Sequence, residues 1–479
     1  MNYSLGEYML FINRKPECLY VEEARRLSKK KAFYVVIYGQ RRIGKTRLIL
    51  ETLKKCDIYF FVNKGKSSES LLREFEQILR DKKMLQELES LRNWDDFFKI
   101  IFSRYKGTIA FDEFQNFLYV DKSVFGILQK HIDINENKKD ILVIFSGSTI
   151  GLIKKIFMDS KEPLYGRIKR QLCIKQMSFA DTAEMCKEVG INNIEEIIKL
   201  YSIFGGFPKY YVAIEDENLH GKGADDIIKR FFMDENAILE NEAIGILSIE
   251  FGKRTGVYFD ILNAIANGST RISEIASFLG RKETAITRQI NELKKYFEFI
   301  DVENQAIGKK NIMVINHPLM NFWFRFFFRN ISSYKRREDW LIKKILDEFN
   351  IYLGRRFEKI CRIIIQENNG MLPFNFDKIG SQWGRIPQKA EGDNQYEIDI
   401  VALNSKTKDI MFAECKWQNN ADAEKILADL KKKTQYVQWF NGERKEHFAI
   451  FARSFRKKSK DCLCFDLHDI DKIVKRHQL

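Results

Sequence analysis

The stretch Val35-Val-Ile-Tyr-Gly39-Gln40-Arg41-Arg42-Ile-Gly44-Lys45-Thr46-Arg47 constrains this chain more than any other, because it fits GxxxxGK[ST] between an apolar strand-like run and a helical one. Gly39 and Gly44 let the backbone wrap closely round a polyphosphate, with N–H groups and the following helix N-terminus turned toward the anion. The spacing predicts a nucleotide site in which Gly39, Gln40, Arg42, Gly44, Lys45, Thr46 and Arg47 surround the phosphates of ATP. Lys45 is expected to reach the β- and γ-phosphates, and the Thr46 hydroxyl to ligate Mg²⁺.

Ile58 to Val62 reads as a second strand, and about 65 residues beyond the loop Gly107-Thr-Ile-Ala-Phe-Asp112-Glu113 is an apolar run ending in two acids. Carboxylates at the end of a parallel strand beside a phosphate loop suit Asp112 for holding Mg²⁺ and Glu113 for polarising the attacking water. Ile141 to Ser148 is a third buried strand ending in hydroxyls. Ser148 is a candidate sensor of the γ-phosphate, with a plain Ser-Gly turn as the other reading. Pro163-Leu-Tyr-Gly166-Arg167 places an arginine in a loop before another strand-like run.

No apolar run approaches the roughly 18 residues of a membrane span, and Met1 to Lys15, which contains Glu7, lacks a signal-peptide layout, so a soluble cytoplasmic protein without a membrane partner is expected. Eight cysteines without CxxC pairs suit reduced thiols. Cys462 and Cys464 would share a strand face near His468, but no second ligand pair follows and burial is the simpler reading. A net charge of +15 favours an anionic partner without naming one.

Farther along, Gly256 to Ala266, Ile272 to Phe278 and Thr284 to Tyr296 read as three short helices, followed by a hairpin of Glu298 to Val302 and Asn311 to Ile315. This winged-helix pattern would turn Arg288, Gln289 and Lys294 to a DNA groove and Lys309 and Lys310 to phosphate. Between Arg271 and Lys310 there are 8 basic and 6 acidic residues, a thin footprint that leaves a structural or protein-binding role open. The run Phe322 to Phe328 reads as a buried helix rather than a base-stacking surface.

The last third reads as helix Leu353 to Gln366, strands near Gly380 to Gly384, Tyr396 to Leu403 and Asp409 to Lys416, helix Ala421 to Trp439 and strand Phe448 to Ala452. The period of two puts Glu414 and Lys416 on one face, where Asp399 on the neighbouring strand meets them. Two carboxylates suit Mg²⁺, and a lysine beside them suits a role on the attacking water.

Two resemblances follow. Phe11-Ile-Asn-Arg14, the phosphate loop, Phe111-Asp-Glu, Ser146-Gly-Ser148, Leu164-Tyr-Gly-Arg167 and Gly205-Gly-Phe-Pro208 together resemble the archaeal-type ATPase family, an AAA+/STAND-related group, over about residues 1–240. That resemblance implies a helical lid, and for Arg167 the part of an arginine finger, often supplied by a neighbouring subunit, hence a homo-oligomer. The αβββαβ order with Asp399, Glu414 and Lys416, the two acids fifteen residues apart, resembles the PD-(D/E)xK nucleases and the DUF234-like domain usually fused after archaeal-type ATPases. By the same resemblance Glu358 is an additional metal-binding acid; the proline of the literal motif is absent before Asp399.

The expected fold is a multidomain α/β chain: a P-loop AAA+-like core at 1–178, a helical lid at 179–245, a winged helix-turn-helix at 246–316 and a restriction-endonuclease-like domain at 317–479. The expected function is an ATP-hydrolysing switch coupled to a Mg²⁺-dependent nuclease acting on nucleic acid, DNA before RNA, in defence, repair or mobile-element control. The alternative is an ATP-gated DNA-binding or signalling regulator whose nuclease-like domain is inactive.

Overall fold

The computed structural model describes residues 11–252, 255–387 and 394–477; residues 1–10, including Glu7, lie outside them. The chain forms two compact units, one of Phe11–Gln176 with Lys295–Glu298, the other of Met177–Lys294 with Phe299–Leu479.

In the first unit β1 (Phe33–Tyr38), β2 (Ile58–Phe61), β3 (Gly107–Asp112), β4 (Ile141–Gly147) and β5 (Arg170–Cys173) form a parallel sheet in the order β2-β3-β4-β1-β5. β1 and β4 are buried along their whole length, which explains their unbroken apolar runs: helices cover both faces, so nothing selects for alternation. One face is lined with rings, among them Phe60 and Phe75 with centroids 4.5 Å apart and Phe114 and Phe145 at 4.7 Å. Each fully buried ring contributes roughly 1.5–3 kcal/mol. Parallel pairing turns the carboxyl ends of β1, β3 and β4 to one edge, where the phosphate loop and the two acids gather. β4 lies between β1 and β3, so the acids stand one strand farther from the loop than direct adjacency would give.

In the second unit, the helices Thr255–Ala266, Ile272–Phe278 and Glu283–Lys295 lead to the antiparallel pair β6 (Ile300–Asn304) and β7 (Asn311–Ile315). β6 starts two residues later than the sequence suggests, because Glu298 has φ 55°, a left-handed conformation no strand continues through. The tip of this hairpin is not free. Ala306 N–H donates to the Ser381 carbonyl at 2.9 Å, Ile307 N–H donates to Gln382 Oε1 at 2.9 Å, and the Gln305 side chain donates to the Trp383 carbonyl. These contacts cover the edge of β8 (Lys378–Arg385), which would otherwise expose unpaired backbone groups.

β8, β9 (Gln395–Asn404) and β10 (Asp409–Lys416) run antiparallel, and β12 (Lys445–Ala452) and β14 (Leu463–Phe465) then extend the sheet in parallel beyond β10. The helix before β8 spans Asp339–Glu367, twice the expected length. The helix after β10 is shorter than expected, Ala423–Thr434, since the Asp422 side chain caps its N-terminus and Ala421–Asp422 is taken up as β11 against β13 (Phe455–Lys457). The aromatic run forms the helix Pro318–Phe326, with Phe322, Trp323, Phe324, Phe326 and Phe327 all buried. The helices after Met177, read from the sequence as a lid on the ATPase core, belong to the same compact unit as this sheet.

Candidate functional sites

Gly44 has φ 92°, so the helix Lys45–Thr52 starts from a left-handed residue that only glycine adopts without strain. A Cβ on Gly39 would stand 2.6 Å from the Ile174 carbonyl oxygen, so this glycine is required by close backbone approach. Lys45, 6% exposed, lies back along the loop and donates to the carbonyls of Gly39 and Gln40 at 2.9 Å each. Gln40 donates through Nε2 to the Glu298 carbonyl at 2.9 Å, Arg42 is left-handed at φ 69°, and Arg47 pairs with Glu51 at 2.7 Å on the exposed side of its helix. Arg14, in the first segment of the resemblance, braces the loop through the Ile43 carbonyl at 3.2 Å.

Asp112 is held by three side chains: Thr46 Oγ1 and Tyr59 OH donate to Oδ2 at 2.7 and 2.9 Å, and Ser146 Oγ donates to Oδ1 at 2.8 Å. Burial, reinforced by Asp112, pushes the Tyr59 phenol up, which keeps it a donor. Glu113, left-handed at φ 53°, accepts from Ser148 Oγ at 2.8 Å and from the Gln115 side chain. Loop, acids and the Ser148 hydroxyl therefore converge. Of Tyr59, Gln115 and Ser146, which complete the site, only Ser146, a hydroxyl ending a buried strand, carries a signal in the sequence.

Arg167 is not brought to the loop. Lys169 N–H bonds to the Tyr34 carbonyl, and β5 pairs Arg170 with Val35, so Arg167 stands at the amino end of β1 while the loop leaves its carboxyl end. Asp133 grips its guanidinium with two bonds of 3.0 Å.

In the second unit the pairings Phe412↔Val401 and Ala413↔Ile400, continued one step, set Glu414 opposite Asp399 on the same side of the sheet. A single ammonium links them: Lys416 Nζ lies 2.6 Å from Glu414 Oε2 and 3.9 Å from Asp399 Oδ2. Asp399 also accepts from the Cys415 N–H at 2.7 Å. Lys433, whose Lys431–Lys433 run reads from the sequence only as a basic cluster, completes the site, for from the Ala423–Thr434 helix it reaches Glu414 Oε1 at 2.6 Å.

Burial, with added repulsion from Glu414, raises the Asp399 carboxyl above the ordinary range. Burial, with Asp399, Glu397 and Glu414 adding to it, does the same to Glu358 on the Asp339–Glu367 helix. Although burial opposes its charge, Lys416 is held above the usual lysine range by Glu414 and Asp399. Among the described residues no three acid, histidine or cysteine side chains form a ready metal cage, and both oxygens of Glu414 are taken by lysines. Even so, burial and mutual repulsion make the ionised forms of Asp399 and Glu358 unfavourable where they stand, so the donor chemistry fits a divalent cation, which would offset that cost. Cys462 and Cys464 lie 3.6 Å apart through sulfur as free thiols.

Residues 11–214 match the family described as an ATPase domain predominantly from Archaea, and residues 323–426 match DUF234, described as archaea bacterial proteins of unknown function. An uncharacterised protein of Methanocaldococcus jannaschii is 30% identical over 470 residues, covering 96% of this chain and all of that protein. The chain belongs to the archaeal ATPase family that carries a DUF234 domain. Another protein of that organism, described as an uncharacterised ATP-binding protein, is 41% identical over 46 residues, 10% of this chain and 75% of that one. The Walker-type ATPase PABY2304 of Pyrococcus abyssi shares the fold, with a TM-score of 0.52 and 20% identity over 67% of this chain and 99% of that one. The match to the family's ATPase domain takes in the whole parallel sheet, with its phosphate loop and paired acids, and runs on to residue 214 in helices of the other unit. Among the described residues no helix is long and apolar enough to cross a membrane.

Proposed function

We propose that this family member is an ATP-hydrolysing switch whose carboxyl-terminal sheet is a Mg²⁺-dependent nuclease acting on nucleic acid, DNA in the first instance. The observation that carries the nuclease reading is the Lys416 ammonium in reach of both Asp399 and Glu414 on one side of the sheet.

In the ATPase unit, Lys45 would exchange its two loop carbonyls for the β- and γ-phosphates of ATP, while Thr46 and Asp112, already paired at 2.7 Å, would hold the Mg²⁺ that accompanies the nucleotide. Glu113, steadied by Ser148 and Gln115, accepts a proton from the attacking water. Arg167, at the far end of β1 from its own loop, acts on the nucleotide of a second copy, which makes the active form an oligomer.

In the carboxyl-terminal unit, Asp399, Glu414 and Glu358 would hold a second Mg²⁺. When bound, the ion supplies a Lewis acid that polarises the phosphodiester. Lys416 orients the attacking water and steadies charge at the phosphorus; the water oxygen forms the new P–O bond and gives its proton to bulk solvent, the ester P–O bond breaks, and the departing oxygen takes a proton from solvent and leaves as a hydroxyl. The three helices and hairpin of residues 255–315 act as a winged helix, with Arg288, Lys294, Lys309 and Lys310 exposed toward nucleic acid. Gln289 is only part-exposed, so its part in that surface is the smaller one.

The lysine grip on Glu414 supports a second reading, in which this fold binds nucleic acid without cutting it and ATP gates that binding. Incubation of the full chain with single- and double-stranded DNA and RNA, with Mg²⁺ and with or without ATP, separates the two. Cleavage lost in Asp399→Ala and Glu414→Ala, with ATP turnover kept, supports the nuclease; binding without cleavage under every condition selects the regulator.

A further inference from the structure

The Asp339–Glu367 helix that carries Glu358 also carries Arg356, Lys359 and Arg362. At 100° per residue, Arg362 and Lys359 follow Glu358 round the helix and Arg356 follows them, so a strip of cations begins beside that acid. One acid answers the strip: Glu303 of β6 lies 2.8 Å from Arg362 and 3.7 Å from Lys359. These three side chains are mostly withdrawn from water, at 20, 15 and 28% exposure for Glu303, Arg362 and Lys359. Arg356 has no ion pair among the described residues, and its Nε is buried without a hydrogen-bond partner.

Three cations around one carboxylate, with a guanidinium N–H desolvated and unanswered, is an unfavourable arrangement in the free protein. An unpaired buried donor carries its full desolvation cost and like charges repel. An anion with several acceptor oxygens would relieve all three at once, and a guanidinium fork matches the oxygens of a phosphate.

We infer that Arg356, Lys359 and Arg362 form a phosphate-binding site, with Glu303 as the internal carboxylate that a phosphate displaces, and that its ligand is a phosphodiester of nucleic acid next to the one presented to Glu358, Asp399 and Glu414. The second half of this inference rests on the nucleic-acid reading above; the phosphate site itself does not.

The test uses the full-length chain in EDTA, so that no cleavage intervenes, and fluorescein-labelled DNA read by anisotropy from low to moderate salt. Arg356→Gln with Arg362→Gln should weaken binding roughly tenfold and reduce the salt slope by about one phosphate contact. Glu303→Gln should tighten binding, a change that misfolding cannot imitate, and ATP turnover should be unaltered in both variants. A parallel arm reads the melting temperature with inorganic phosphate and with pyrophosphate. If DNA binding moves as stated, the ligand is the phosphodiester; if only the phosphate-induced stabilisation is lost in the double variant, the site takes a free phosphate. Wild-type protein that binds no DNA overturns the nucleic-acid reading alone. Variants that match wild type in both arms overturn the phosphate site.

Discussion

Replacing Lys433 with methionine should make the carboxyl-terminal cluster bind a divalent cation more tightly, although it removes a residue from the centre of that cluster. Lys433 Nζ lies 2.6 Å from Glu414 Oε1 while Lys416 occupies Oε2 at the same distance, so an incoming ion must first displace an ammonium to reach this carboxylate. Two unit charges about 4 Å apart attract by about 4 kcal/mol at the effective dielectric of a protein surface. Lys433 is 33% exposed, so water offsets much of that and about 1–2 kcal/mol remains to be lost on displacement. At 1.4 kcal/mol per decade, Lys433→Met should lower the Kd for Mg²⁺ or Mn²⁺ by roughly tenfold. Titration calorimetry with Mn²⁺ on the nucleotide-free chain measures this, with Asp399→Asn as the variant that should lose binding. Unchanged or weaker metal binding by Lys433→Met would refute the reasoning, for it would mean that the lysine and the ion do not compete for Glu414.

Four further outcomes are expected. His317 is fully buried against Phe207, both ring nitrogens lack a hydrogen-bond partner among the described residues, and burial draws its pKa down from 6.5 to about 3. Its stabilising contribution is complete above 6.5 and is lost as pH falls toward 3; at pH 5 the loss should be about 2 kcal/mol, and denaturant titrations at pH 7.5 and 5 should show it in wild type but not in His317→Phe. Glu358→Gln should raise the metal-free melting temperature at pH 8 and leave it unchanged near pH 4, since a carboxyl whose folded pKa is raised loses stability for the fold as pH climbs out of the ordinary carboxylate range. Lys45→Ala should abolish ATP turnover with the fold intact, whereas Glu113→Gln should bind ATP and not hydrolyse it; a phosphate-release assay beside a nucleotide-binding assay separates them. Arg167→Ala should cut turnover roughly 10³-fold, with activity returning on mixing with Glu113→Gln, and no rescue at any ratio would leave Arg167 as the structural partner of Asp133.

What the sequence made legible was local. The phosphate loop could be read because each of its constraints, the φ of Gly44 and the close approach at Gly39, falls on residues a few positions apart. Glu414 and Lys416 could be read for the same reason, since two residues of one strand share a face whatever the rest of the chain does. Lys433 and Tyr59 join their sites from separate elements, and neither the last lysine of the Lys431–Lys433 run nor a tyrosine on a strand has a spacing that points to a carboxylate far along the chain. The hairpin shows the same limit from the other side. Its strands follow from composition, but the role of Gln305 to Ile307 in covering the edge of β8 depends on where Ser381 and Gln382 come to lie. Arg167 is the sharpest case. A loop motif suggests its chemistry, whereas only the pairing of Val35 with Arg170 shows that it stands a whole strand away from its own chain's loop.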